Sequence, residues 1–217
     1  MTAVLEPVLR SPRLPQLVAE LNRVVEAERA ARQRFRDELT PETKAEFING
    51  KVIMQSPARY RHTNCRKLLT KLLDTYVEKN HLGWVGDEQV LVALTRNDFL
   101  PDIVYFGPDK AAQLRPDQLE FPSPDLVVEV LSETTESRDR GVKLEDYATH
   151  SVREYWLVDP DKEIVEQYEL TGEQYTLRAK QADGTLRSVV VAGFAVPVRA
   201  IFDGAENLKC LQQLAAG

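Results

Sequence analysis

The sequence predicts a mixed α/β fold, a sheet of buried strands flanked by helices, with a helical extension at the N-terminus. Three stretches predict it. Leu126-Val127-Val128-Glu129-Val130-Leu131 is almost wholly apolar and is bounded by Ser123-Pro124 and by Ser132-Glu133-Thr134-Thr135. Such a run reads as a strand covered on both faces. Between Ala58 and Asn80, Cys65, Leu68, Leu69, Leu72, Leu73, Tyr76 and Val77 recur at helical spacing, as on a helix laid against a core. From Glu154 onward short alternating segments follow one another, as in an antiparallel meander with one wet face.

The 217 residues are 43% hydrophobic and 29% charged, ordinary for a folded protein with one core. No apolar run approaches the ~20 residues that span a bilayer, so no membrane partner is expected. The first residues lack the basic-then-apolar order of a signal peptide. Cys65 and Cys210 stand far apart without metal-ligand spacing, and reduced thiols in a cytoplasmic protein are the expectation. The chain has three histidines, His62, His81 and His150. That count disfavours a histidine-built zinc site and leaves a hard, oxygen-bound cation as the metal to expect. The net charge of −6 argues against non-specific coating of nucleic acid, though not against a local basic groove.

In order, residues 1–12 read as irregular. From Leu14 to Leu39 apolar residues at Leu14, Leu17, Leu21, Val24, Ala31 and Phe35 predict a long helix, either laid on the surface or serving as an arm for a homodimer. Thr40-Pro41-Glu42 ends it. Asn49-Gly50 between two apolar runs predicts a hairpin with a two-residue turn, its first strand carrying Glu46 on a solvent face or in a site. The helix of 58–80 carries Arg59, Arg61, Arg66, Lys67 and Lys71 on its other side, a solvated face or a phosphate contact. Gly83 supplies its stop. Strands are expected at Trp84–Gly86, Glu88–Leu94 and Leu100–Phe106, with a turn at Asn97-Asp98-Phe99. A polar loop covers Gly107 to Ser123. After the Glu129 strand a helix is expected to about Thr149, with Asp139, Lys143 and Tyr147 four apart on one face. That spacing alone suits an ordinary surface ion pair. Later strands are expected near Ser188–Val191 and Ala195–Val198, and a short helix or frayed end from Leu208.

Glu129 is the anomaly. A carboxylate in a buried strand costs several kcal/mol unless something positive meets it, either a metal ion or a cationic side chain. The strand of Asp102 is one loop away, so the two carboxylates can be sheet neighbours. Two carboxylates plus water and phosphate oxygens make a Mg²⁺ site, and Lys143 could orient water or offset phosphate charge. Asp125 lies on the same face as Glu129 but four residues along the strand, ~13 Å away. It is expected at the strand mouth or in a supporting role.

Together, Glu46-Phe47-Ile48-Asn49-Gly50, His62, Pro101-Asp102-Ile103, Pro124-Asp125-Leu126-Val127-Val128-Glu129-Val130-Leu131-Ser132, then Asp139, Lys143, Tyr147 and Glu154-Tyr155-Trp156-Leu157-Val158-Asp159-Pro160 resemble the Uma-two family, within the PD-(D/E)xK superfamily of restriction-endonuclease-like proteins. The resemblance covers roughly residues 43–200. It implies a restriction-endonuclease-like core between an N-terminal extension of residues 1–42 and a tail of 201–217. In the commonest superfamily pattern a lysine follows two residues after the glutamate, where this chain has Leu131. The resemblance implies instead a lysine from the next helix, which Lys143 fits, with Glu46 as an extra acidic group and His62, Asp125, Asp139 and Tyr147 as supporting residues. Ser151 stands where a glycine would precede the Glu154 strand. The implied activity is a Mg²⁺- or Mn²⁺-dependent endonuclease on DNA, its metal held by Asp102 and Glu129. Two other readings stay open, a catalytically silent binding module on the same scaffold and a hydrolase of another phosphate ester.

Overall fold

A computed structural model describes residues 5–40 and 42–216. The chain forms two compact units, one reaching to Gln55 and including Thr95–Asn97, the other made of Ser56–Leu94 and the rest from Asp98. Among the described residues no helix is long and apolar enough to cross a membrane.

The N-terminal unit holds α1 (Glu6–Leu9), α2 (Leu14–Asp37), β1 (Ala45–Ile48) and β2 (Lys51–Met54). Asn49 and Gly50 join β1 to β2 with φ of 49° and 80°. Two consecutive positive φ values are what a tight hairpin turn needs, and Asn-Gly is the pair that adopts them most readily. Phe35 of α2 packs against Phe47 of β1, the rings tilted by 32° with centroids 5.8 Å apart. Arg32 donates to the carbonyls of Thr95 and Asn97 at 2.7 and 3.0 Å, and Asn97 Oδ1 accepts from the Asn49 amide. α1 forms where the sequence suggested irregular chain. Residues 1–4 and the break expected at Pro41 lie outside the described residues.

The larger unit opens with α3 (Tyr60–Lys79), then β3 (Trp84–Asp87), β4 (Leu91–Ala93), β5 (Asp98–Phe99) and β6 (Ile103–Phe106). Next come α4 (Pro108–Ala111), β7 (Glu120–Phe121), β8 (Leu126–Val130) and a helix in three parts: α5 (Glu136–Arg138), a π turn (Asp139–Lys143) and α6 (Leu144–Thr149). The chain finishes with β9 (Glu154–Asp159), β10 (Ile164–Thr171), β11 (Gln174–Gln181), β12 (Thr185–Arg187), β13 (Ala195–Pro197), a 3₁₀ turn (Val198–Ile201) and α7 (Gly204–Ala216).

The main sheet runs β11-β10-β9-β8-β6-β3. β8 and β9 are parallel and the other neighbours antiparallel, so the sheet is mixed. On one face Ile103, Tyr105, Leu126, Val128, Val130, Trp156 and Val158 pack with Leu69, Leu72, Leu73 and Val77 of α3 and with Cys210 of α7. The alternate residues of β8, Val127 and Glu129, therefore face the other side, which the helix of residues 136–149 covers.

Several element assignments differ from the sequence reading for identifiable reasons. Asp98-Phe99 is a strand, fully buried, because it pairs with β4 rather than turning in solvent. The strand expected from Glu88 begins only at Leu91, since Glu88 and Gln89 take φ of 36° and 51°. His81, not Gly83, takes the left-handed position that ends α3. Gly83 is needed for a different reason: a Cβ there would lie 2.1 Å from the Phe106 carbonyl oxygen. β13 pairs with Thr185–Arg187, leaving Ser188–Val191 as loop.

That loop is fastened by Glu154. Its fully buried carboxylate accepts from Trp156 Nε1 and Gln167 Nε2 on Oε1, and from Ser188 Oγ and the amides of Val189 and Val190 on Oε2. Five donors satisfy a buried carboxylate without a cation.

Candidate active site

Continuing the β6–β8 register, which pairs Ile103 with Val128, by one step sets Asp102 across from Glu129. Asp102 sits just where β6 begins, and its side chain takes the place of a ladder bond. Its Oδ2 accepts from the Val130 amide at 2.8 Å, the amide of the peptide that also carries Glu129. Its Oδ1 lies 3.0 Å from His62 Nε2, which reaches down from the first turn of α3. The His62 and Asp102 side chains keep 14% and 16% of their exposure, so this group opens to solvent.

Glu129 is met from the other side. Lys143 Nζ lies 2.9 Å from its Oε1, and Tyr147 donates to the same oxygen at 3.2 Å. Asp139 Oδ1 stands 3.4 Å from Lys143 Nζ, and the Asp139 carbonyl accepts from Tyr155 OH at 3.0 Å. The ring of Phe99 lies 5.6 Å from Lys143 Nζ, within cation–π range. The Lys143 and Glu129 side chains are only 3% and 4% exposed, and Asp139 and Tyr147 are buried as well. Burial, then the charges of Glu129 and Asp139, push the Tyr155 phenol well above its ordinary range. Tyr155 thus stays a neutral donor.

The π turn explains why three side chains of one helix converge. In an α-helix, Asp139, Lys143 and Tyr147 would fan out by ~80°, because each step of four residues overshoots a turn by ~40°. Closing one turn i→i+5 widens it and takes back part of that fan. The same turn is fixed from outside. Arg140 binds Glu166 of β10 through both terminal nitrogens, at 2.7 and 3.1 Å, and holds Glu136 through Nε. Glu129 and Glu166 are both in register with Leu157. They lie two strands apart, ~10 Å, on one face of the sheet.

Of the sequence-predicted residues, Asp102 with His62, and Glu129 with Lys143, Asp139 and Tyr147, form two groups joined by one peptide unit. The supposed surface ion pair of Asp139 and Lys143 is a buried one. Asp125 lies at the opposite end of β8, where Oδ2 accepts from the Gly107 amide and Oδ1 pairs with Lys110. Glu46 sits on β1 in the N-terminal unit and is buried rather than on a solvent face. The sequence places Phe99 in a turn and gives Tyr155 no role at the site. The period-two alternation of the β9 strand, which puts Tyr155 on the Leu157 side, is the signal it offers.

The basic face of α3 is largely matched by acids. Arg59 pairs with Glu133 at 3.0 Å, Arg61 with Asp161 and Arg66 with Glu88, while Lys67 and Lys71 are exposed. Arg59 and Glu133 are both 73% exposed, and a pair so exposed is worth under ~1 kcal/mol, so a phosphate could displace it.

Among the described residues no three His, Cys, Asp or Glu side chains form a cage for a metal ion. Carboxylates such as those of Asp102 and Glu129 are donors of the kind that Mg²⁺ takes, one or two at a time, beside waters and substrate phosphate oxygens.

The fold and chain match known proteins. A crystal structure described as a "putative nuclease belonging to DUF820" from Anabaena variabilis superposes with a TM-score of 0.67 at 17% identity, over 80% of this chain and 96% of that one. The type IIG restriction endonuclease BpuSI matches with a TM-score of 0.38 at 14% identity, over 74% of this chain and 17% of that one. A search of the curated proteins returned no match. The first superposition supports the restriction-endonuclease-like fold reached from the sheet and its flanking helices. A family model, Uma2, described as "Putative restriction endonuclease", matches residues 32–199. With more than half of its length matched, the chain belongs to the Uma2 family of restriction-endonuclease-like proteins.

Proposed function

We propose that the chain is a divalent-metal-dependent endonuclease that hydrolyses phosphodiester bonds in DNA. The observation that carries the reading is the delivery of Lys143, from the helix after β8, to Glu129 Oε1 at 2.9 Å. A lysine two residues after the glutamate would lie on the same strand; here the ammonium reaches the same carboxylate from a helix. Asp102 and Glu129 would hold Mg²⁺ or Mn²⁺, which when bound supplies Lewis-acid polarisation of phosphate and acidifies water. Lys143 adds a fixed positive charge where charge builds up on phosphorus oxygens. Asp139 and Phe99 hold its amine in place, Tyr147 holds the Glu129 carboxylate, and His62 fixes the rotamer of Asp102. Lys67 and Lys71 of α3, with the exposed Arg59 just before it, would contact the DNA backbone.

The test is cleavage of supercoiled and linear DNA, and of RNA, with Mg²⁺ and Mn²⁺, beside calorimetric titration of each metal. Cleavage should be lost in Asp102→Asn, Glu129→Gln and Lys143→Met. Absence of cleavage on every substrate, with neither metal binding, would overturn the proposal.

One observation favours the second reading, a silent module on a nuclease scaffold. Lys143 and Glu129 are almost sealed from solvent, as expected of an ion pair kept for structure. Under that reading the protein binds DNA or a protein partner, cleaves nothing, and Glu129→Gln leaves binding intact.

A further inference from the structure

The first half of α2 carries an apolar ridge that its own unit leaves open. Val18, Leu21, Val24 and Val25 are 45%, 58%, 50% and 43% exposed. With Leu14 and Leu17 they fall in one sector of ~120° on the helix. The second half of the same helix borders a groove with both apolar and polar walls, Glu38 and Thr43 among the latter. It has a volume of about 340 Å³ and is lined by Ala31, Arg34, Phe35, Val52 and Met54 among others. Val52 and Met54 are 52% and 66% exposed. Ridge and groove thus occupy opposite ends of one helix. By formal count charge divides the same way. Residues 14–28 contain Glu20, Glu26 and Glu28 against Arg23, net −2; residues 29–38 contain Arg29, Arg32, Arg34 and Arg36 against Asp37 and Glu38, net +2. Within the chain Glu28 is already paired with Arg96 and Glu26 with Arg29.

We propose that ridge and groove complete each other between two copies of this chain, which dimerise with α2 lying antiparallel on α2. Leu17 and Leu21 of each copy enter the groove at Phe35, Val52 and Met54 of the other. The contact is isologous, so it closes as a dimer and does not propagate. A parallel pair would set ridge on ridge and leave both grooves empty, with like-charged halves side by side. The antiparallel pair sets each acidic half against a basic half. Leu17 opposite Phe35 places the two-fold axis near residue 26. The surface belongs wholly to the N-terminal unit and does not depend on the nuclease reading.

Sedimentation velocity of the full chain should give twice the chain mass at micromolar concentration. Leu21→Glu on the ridge and Met54→Glu in the groove should each weaken the dimer at least tenfold. Both positions are exposed, and an unchanged circular dichroism spectrum separates lost assembly from lost folding. Orientation is read by single cysteines, since the natural Cys65 and Cys210 are buried. Val25→Cys should oxidise to a crosslinked dimer across the axis. Val18→Cys should not, because its mates would lie ~24 Å apart along the helices. A monomeric wild type, a dimer indifferent to both glutamate variants, or crosslinking at Val18→Cys as readily as at Val25→Cys would each overturn the proposal.

Discussion

Glu166→Gln tests how the site is held in place. The Arg140 hydrogen bonds, with lesser help from Lys180 and Tyr168, bring the Glu166 carboxyl down from 4.5 to about 2. A drop of that size corresponds to ~3.4 kcal/mol at 1.36 kcal/mol per unit. Solvent discounts it, because Arg140 and Lys180 are 32% and 55% exposed, and ~2 kcal/mol is the working figure. The folded value lies below the unfolded one, so this stabilisation is fully present above pH ~4.5 and is lost as pH falls toward ~2. Urea unfolding of wild type and variant at pH 7, 4 and 2.5 should therefore show a gap of ~2 kcal/mol at neutral pH that narrows in acid. Arg140 sits in the turn that delivers Lys143, so under the proposed nuclease function cleavage by the variant should also fall. A gap below ~0.5 kcal/mol at pH 7, or one that stays constant into acid, would refute the claim that Arg140 and Glu166 clamp this turn.

Lys143→Met should destabilise by ~3–5 kcal/mol, since it strands Glu129 in the interior; Glu129→Gln combined with Lys143→Met should recover much of that in denaturant titration. Ser151 has φ of +60°, with its amide on Ala148 O and the Val152 amide on Tyr147 O, the helix-ending pattern that favours glycine. Ser151→Gly should stabilise by up to ~1 kcal/mol, read as a higher Tm. Gly83→Ala should cost more than ~3 kcal/mol or block folding, because its φ is +120° and the new Cβ would meet the Phe106 carbonyl at 2.1 Å. Tyr155→Phe should cost ~1 kcal/mol through the lost bond to the Asp139 carbonyl.

What the sequence made legible was local or anomalous. The Asn49-Gly50 turn follows from the backbone preferences of two residues. Glu129 announced a partner because its neighbours are apolar, and four-residue spacing placed Lys143 and Tyr147 on one face. The glycine missing at Ser151 marked a left-handed position that the chain occupies regardless. What stayed hidden depended on contacts far apart in sequence. Nothing near Phe99 says that its ring lies under Lys143. The arginines of α3 look like an open basic face until Glu133, Asp161 and Glu88 arrive from other segments. Glu154 and Glu129 look alike in their strands, yet one is met by five uncharged donors and the other by an ammonium. Only the neighbouring chain decides between them.

The π turn has a consequence for how the site could be lost. A wide turn is an α-helix with one surplus residue, and here the surplus lies at the outer surface, where Gly141 has no atom within 4 Å of the place a Cβ would occupy. Deleting that glycine would restore ordinary spacing without cutting into packed atoms. The two ends of the helix would keep nearly the same phase, because the wide turn is what absorbs the surplus residue. The same deletion from a regular helix would turn one end by ~100° against the other and set Arg140 on Glu166 against Lys143 on Glu129. Removing Gly141 thus separates two requirements of the site, the width of the turn itself and the phase of the two helix ends.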